Sequence, residues 1–181
     1  MKTYKTEGII IKRKNFAESD RLLTVFTKRN GKIKVKASGV RKISSRRSPH
    51  IELLNYSYIT LYEGRSLPIL TEAQTIEDYS QIKGSLKKIG FAYYMCELID
   101  GLCPENQENN TVFSLFEESL RRLCLEKDIV SVVREFQVDL LVFLGFYKRQ
   151  QISQRNNVSI LIEGLLERKL KTRQTIAQFS R

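Results

Sequence analysis

Two strand-like runs meeting at Asn30-Gly31 constrain this chain more than any other feature. Leu22-Leu23-Thr24-Val25-Phe26-Thr27 leads into the dipeptide, and Lys32-Ile33-Lys34-Val35-Lys36-Ala37 leaves it. Asn-Gly is the strongest short hairpin signal, because both central positions of a type I′ turn need positive φ. The second run alternates strictly with period two, so Ile33, Val35 and Ala37 share one face and three lysines share the other. The stretch therefore reads as antiparallel sheet with one buried face. Ile9-Ile10-Ile11 marks an earlier strand, Ile51 to Tyr62 a long later one turned by Glu63-Gly64, and Leu67 to Ala73 a fifth. A polar, basic loop runs from Ser38 to Pro49. Five short antiparallel strands in about seventy residues suit a small closed or nearly closed barrel of the OB type. The pattern does not give the strand order.

After Thr75 the period becomes helical. Ile89, Ala92, Tyr93, Cys96 and Ile99 form one apolar stripe, and Val112, Phe113, Phe116, Leu120, Leu123 and Cys124 form another. Ile129, Val132, Val133, Phe136, Leu140, Phe143 and Leu144 give the clearest, at i, i+3, i+4, i+7 spacing. Val158, Leu161, Ile162, Leu165 and Leu166 begin a last helix, with Asn157 placed to cap it. The expected architecture is α+β: a five-stranded OB-type β-barrel over residues 1–78, then an α-helical bundle domain over 79–181.

Charge narrows the function. The 31 Lys plus Arg against 20 Asp plus Glu give +11, a surplus that favours polyanionic partners, nucleic acid first. The longest apolar runs, such as Leu140 to Leu144, are too short to span a bilayer. The N-terminus carries no apolar signal core, so the cytoplasm is the expected location. Cys96, Cys103 and Cys124 include no C-x-x-C pair, which points away from a zinc ribbon or a disulfide framework. His50 is the only histidine and reads as a solvated loop residue. No phosphate-cradling glycine motif, metalloprotease helix or nucleophile elbow occurs. A binding protein without catalytic turnover, cofactor or metal is expected.

The surplus is concentrated. Residues 1–80 hold 16 Lys plus Arg against 8 Asp plus Glu. Lys28 to Arg47 carries nine basic residues and no acidic one. If Ile33, Val35 and Ala37 face the core, Lys32, Lys34 and Lys36 line an outer surface roughly 6.8 Å apart. Such a row can track a sugar–phosphate backbone without reading bases. The DNA-binding candidates are Lys12, Arg13 and Lys14 at the end of the first strand, Arg21, the row Lys32, Lys34 and Lys36, and the loop cations Arg41, Lys42, Arg46 and Arg47. Tyr56, Tyr58 and Tyr62 share one face of their strand and Phe16 follows the Lys12–Lys14 cluster, so these rings are candidates for base stacking. The same rings also suit barrel core or rim, where a tyrosine keeps its hydroxyl wet.

Several segments together resemble the RecO family of recombination mediators. They are Thr6-Glu7-Gly8-Ile9-Ile10, Glu18 to Thr27 with Gly31 closing the hairpin, Gly39-Val40-Arg41-Lys42 followed by Ser45-Arg46, Leu140 to Phe146, and Lys169 to Arg173. The resemblance implies binding of ssDNA and dsDNA, annealing of complementary strands, and work with RecR to load RecA onto strands coated by single-stranded-DNA-binding protein (SSB). It also implies that the acidic, phenylalanine-ended SSB tail seats on the helical domain, with Arg134 at the matching place and Arg121 and Arg122 as looser candidates. Many relatives carry a four-cysteine zinc motif after the Leu-Gly-Phe segment. Here Tyr147 to Asn157 has no cysteine, so a shortened member without metal is expected. Two other readings stay open: a generic OB-type RNA or ssDNA binder without mediator activity, and a basic protein docking on an acidic partner.

Overall fold

The computed structural model describes residues 2–153 and 158–172. The fold is α+β, and the chain divides into two compact units, one of residues 1–78 with 104–110 and one of 79–103 with 111–181. The expected second domain thus cedes a short acidic segment to the barrel unit.

In the first unit, β1 (Thr3–Phe16), β2 (Asp20–Thr27), β3 (Gly31–Ala37), β4 (Tyr56–Tyr62) and β5 (Ile69–Glu77) close a barrel in the order β1-β2-β3-β5-β4. Closure depends on the length of β1. Its first half pairs with β4 (Thr3↔Tyr62 to Ile9↔Tyr56) and its second half with β2 (Gly8↔Thr27 to Phe16↔Asp20). The register shifts between Ile10 and Lys12, and such an irregularity bends a strand enough to serve two neighbours. Apolar residues alternate inward, and Ile10, Leu23, Val25, Ile33, Val35, Ile59, Leu61 and Leu70 build the core with Val40 and Ile51. β3 and β5 touch through a single parallel pair, Lys36↔Ile69.

Two local readings change. Thr27 pairs with Gly31, so the hairpin loop is the three residues Lys28, Arg29 and Asn30, not a two-residue Asn-Gly turn. Gly31 takes the positive φ (+64°), and a Cβ there would lie 2.0 Å from the Gln107 carbonyl oxygen. Ile51 to Asn55 is not strand either. A 3-10 turn spans Ser48–Ile51 and Leu54 has φ +71°, so the apolar side chains in this stretch are buried by a folded loop.

In the second unit, α1 (Ser80–Lys83), α2 (Leu86–Leu102), α3 (Asn110–Leu125), α4 (Ile129–Phe143), α5 (Arg149–Ser153) and α6 (Val158–Leu166) follow. Ser85 caps α2 by accepting from the Lys88 N–H, and Asp128 caps α4 by accepting from the Ser131 N–H. The α3 and α4 stripes meet where Phe116 and Phe136 tilt together, ring centroids 6.0 Å apart. Tyr93 and Phe143, read as stripe members, are partly exposed instead. The expected Asn157 cap lies outside the described residues. Among the described residues no helix is long and apolar enough to cross a membrane.

Candidate nucleic-acid interface

The lysine face of β3 is not the open row that alternation suggests. Ile33, Val35 and Ala37 do point inward. Lys32, however, is 6% exposed, because residues 104–110 run beside that part of the strand. The Asn106 N–H donates to the Lys32 carbonyl (2.9 Å), and Glu105 ion-pairs with Lys34 (2.7 Å). Lys36 is paired too, with Asp20 at 3.2 Å, and its ammonium stands 5.6 Å from the centre of the Phe16 ring. A row of three open cations is therefore corrected to one covered and two paired.

The loop after β3 is a better candidate. Asp20 opens β2 and accepts the Gly39 N–H (2.8 Å), which holds the loop where it turns at φ +67°. That backbone hydrogen bond, with Lys36 beside it, keeps the Asp20 carboxyl below the usual carboxylate range. Val40 is buried in the barrel core and fixes the loop from below. The Arg41 N–H then donates to the Ser19 carbonyl (2.9 Å), and its guanidinium donates to the carbonyls of Ala17 (3.2 Å) and Glu18 (2.9 Å). These are neutral acceptors, so Arg41 keeps its full charge while tying the loop to the β1–β2 turn. Lys12, Lys14 and Phe16 before that turn and Arg41, Lys42 and Arg46 on the loop are all exposed, as is Glu18 within the turn. Ile43 at the loop tip is fully exposed. Sequence reading missed it, although a lone apolar residue among loop cations is itself a signal.

Other candidate cations are paired or partly buried within the unit. Arg13 and Arg21 both pair with Glu52. The Arg47 guanidinium donates to the carbonyls of Leu70 (2.6 Å) and Ser38 (2.7 Å), so it braces the loop and is half-buried. The three tyrosines of β4 also part ways. Tyr56 is 7% exposed and donates to the Glu7 carboxylate, Tyr62 is half-buried, and Tyr58 is 41% exposed. Tyr56 is therefore removed from the stacking candidates, because its ring is covered.

In the helical unit, a recess of about 380 Å³ is lined by Ser131, Arg134, Glu135, Val138, Arg149, Ile152 and Val158. Arg134 lines it, with the acidic Glu135 beside it. Arg121 and Arg122 do not line it: Arg121 pairs with Glu118, and Arg122 pairs with Glu126 and Glu135. Arg149, which sequence reading passed over, lines the recess and pairs with Asp139.

Comparison with known proteins decides the family. The description "Recombination protein O N terminal" matches residues 1–79, and "Recombination protein O C terminal" matches residues 83–151. The chain belongs to the RecO family. A DNA repair protein RecO from Roseiflexus sp. (strain RS-1) is 38% identical over 145 residues, covering 80% of this chain and 51% of that protein. The same-named proteins of Pelotomaculum thermopropionicum and Dehalococcoides mccartyi (strain CBDB1) are 32% and 34% identical, over 81% and 79% of this chain. The chain spans about half the length of these curated RecO relatives. The zinc site of many RecO proteins does not fit here. The place it would occupy has no cysteine, and among the described residues no three His, Cys, Asp or Glu side chains gather to hold a metal.

Proposed function

We propose that this RecO-family chain is a DNA repair and recombination mediator that binds ssDNA and dsDNA through the surface joining the β1–β2 turn to the basic loop. Arg41 carries the reading. By donating to the Ala17 and Glu18 carbonyls it holds two basic segments in one place without losing charge. Exposed lysines and arginines there meet phosphates of any sequence, which suits a protein that must act at arbitrary sites. Its work on DNA is annealing of complementary strands and, with RecR, loading of RecA onto SSB-coated ssDNA, without catalytic turnover. The SSB tail seats in the recess beside Arg134, where apolar Val138, Ile152 and Val158 suit a terminal phenylalanine and the arginine suits its carboxylates. Such a protein works in the cytoplasm, at the nucleoid.

The test is annealing of complementary oligonucleotides with and without SSB. The expected result is annealing that persists on SSB-coated strands. Annealing abolished by SSB would leave only a generic single-strand binder and end the mediator reading.

A further inference from the structure

The barrel has a second basic place, separate from the loop. On the outer side of the β1–β4 pair, Glu7 lies opposite Tyr58, and Lys5 lies opposite Thr60. The Lys28 N–H donates to the Glu7 carbonyl (3.0 Å), which brings the hairpin loop against this pair. A recess of about 140 Å³ results, lined by Lys5, Thr6, Glu7, Lys28, Arg29 and Tyr58. Glu7 is already occupied, accepting from the buried Tyr56 hydroxyl and lying 3.7 Å from the Lys28 ammonium. Among the described residues no carboxylate pairs with Lys5 or Arg29. The recess therefore keeps a net positive charge beside an exposed ring.

That combination has a specific use. A ring accepts a base of any identity by stacking, and neighbouring cations take the flanking phosphates. A duplex base is stacked on its neighbours and cannot offer its face. The hairpin loop and the basic loop stand at opposite ends of seven-residue β3, about 20 Å apart at the rise of a strand. Between them Lys32 is covered and Lys34 is held by Glu105, so the two basic places are not one continuous track. We propose that the Tyr58 recess is a second nucleic-acid contact that holds one unpaired nucleotide of a single strand, its base on the Tyr58 ring and its phosphates on Lys5 and Arg29. This rests on the reading that the barrel binds DNA, and it gives the protein a single-strand contact that duplex cannot use.

The test compares Tyr58→Ala, Tyr58→Phe and the double variant Lys5→Glu/Arg29→Glu on an oligo-dT strand and on duplex of the same length. Tyr58→Ala is expected to weaken oligo-dT binding on the order of tenfold and to leave duplex binding unchanged, while Tyr58→Phe keeps wild-type affinity. The charge variant should flatten the single-strand salt dependence by about one log–log unit. A bromodeoxyuridine strand should photo-crosslink at Tyr58, and free thymidine monophosphate at micromolar concentration should not compete. Equal loss on both DNAs, no loss with Tyr58→Ala, or a Phe variant as weak as Ala would overturn the proposal. So would competition by the mononucleotide, which would make the recess a nucleotide pocket. Failure here is distinct from failure of the wider reading: loop variants such as Lys42→Glu with unchanged duplex binding would sink that reading, whatever Tyr58 does.

Discussion

The Lys34 ammonium lies 2.7 Å from the Glu105 carboxylate, so a lysine that alternation assigns to DNA already has an anion from its own chain. Glu105 offsets the Lys34 charge, so a phosphate gains less there than at an unopposed cation. Lys42 and Arg46 are exposed on the loop, and among the described residues no carboxylate pairs with either. We therefore expect Lys42→Glu with Arg46→Glu to weaken binding to every DNA sequence by about tenfold or more, and to reduce the salt slope by about one to two units. Lys34→Ala should change affinity by less than about twofold at physiological salt. Fluorescence anisotropy titrations at several salt concentrations measure both; a larger loss for Lys34→Ala would restore the β3 row as the principal contact.

Asp20 sets a pH dependence. Its folded-state pKa is depressed, by the Gly39 N–H first and Lys36 next. Its contribution is thus fully present above the ordinary carboxylate pKa and is lost as pH falls through the lower, folded value. Asp20→Asn should therefore lower Tm at neutral pH, with the gap to wild type closing as the solution is acidified below the ordinary carboxylate pKa. Thermal melts across that range are the measurement, and a gap that stays constant with pH would count against the anchor.

Glu97 binds a segment far along the chain. It accepts from the Arg168 guanidinium (2.6 Å), the N–H groups of Lys171 (2.9 Å) and Thr172 (3.0 Å), and the Thr172 hydroxyl (2.8 Å). Burial pushes its pKa up, but these donors outweigh it and hold the carboxyl below the usual range. Glu97→Ala should cost about 2 kcal/mol and should speed tryptic cleavage at Lys169 and Lys171. Limited proteolysis followed by mass spectrometry reads the second effect directly.

Arg134→Glu should spare DNA binding and reduce affinity for an SSB tail peptide at least about tenfold, since it reverses an interfacial charge. Arg121→Glu should leave both unchanged, because Arg121 is tied to Glu118 outside the recess. Isothermal titration with the peptide separates the two; tail binding unaffected by Arg134→Glu would remove the recess as its seat.

Local pattern disclosed the barrel strands and the helices, because each buries one face and repeats at its own period. The order β1-β2-β3-β5-β4 was not legible: β1 closes on β4 across some fifty residues, and no local signal marks that pairing. Ile51, Leu53 and Leu54 look like strand because they are apolar, yet Ile51 and Leu54 are buried by a folded loop that sequence cannot tell from a sheet. The same gap affects the site. Alternation placed Ile33 and Val35 correctly but could not reveal that residues 104–110 cover Lys32, nor that Glu7 removes Tyr56 from the surface. Lys5, Lys28, Arg29 and Tyr58 come together only through the β1–β4 register and the three-residue loop.

The segment 104–110 carries one more implication. β3 meets β5 at a single pair, so from Gly31 to Val35 its outer side is a sheet edge, and Asn106 supplies a hydrogen bond there. An uncovered edge is a template for pairing with other chains. A fragment cut at residue 78, where the sequence period changes, would hold all five strands and still lack its guard against self-association. The last piece of the barrel is written after the first long helix, and expression of the barrel alone must carry that piece with it.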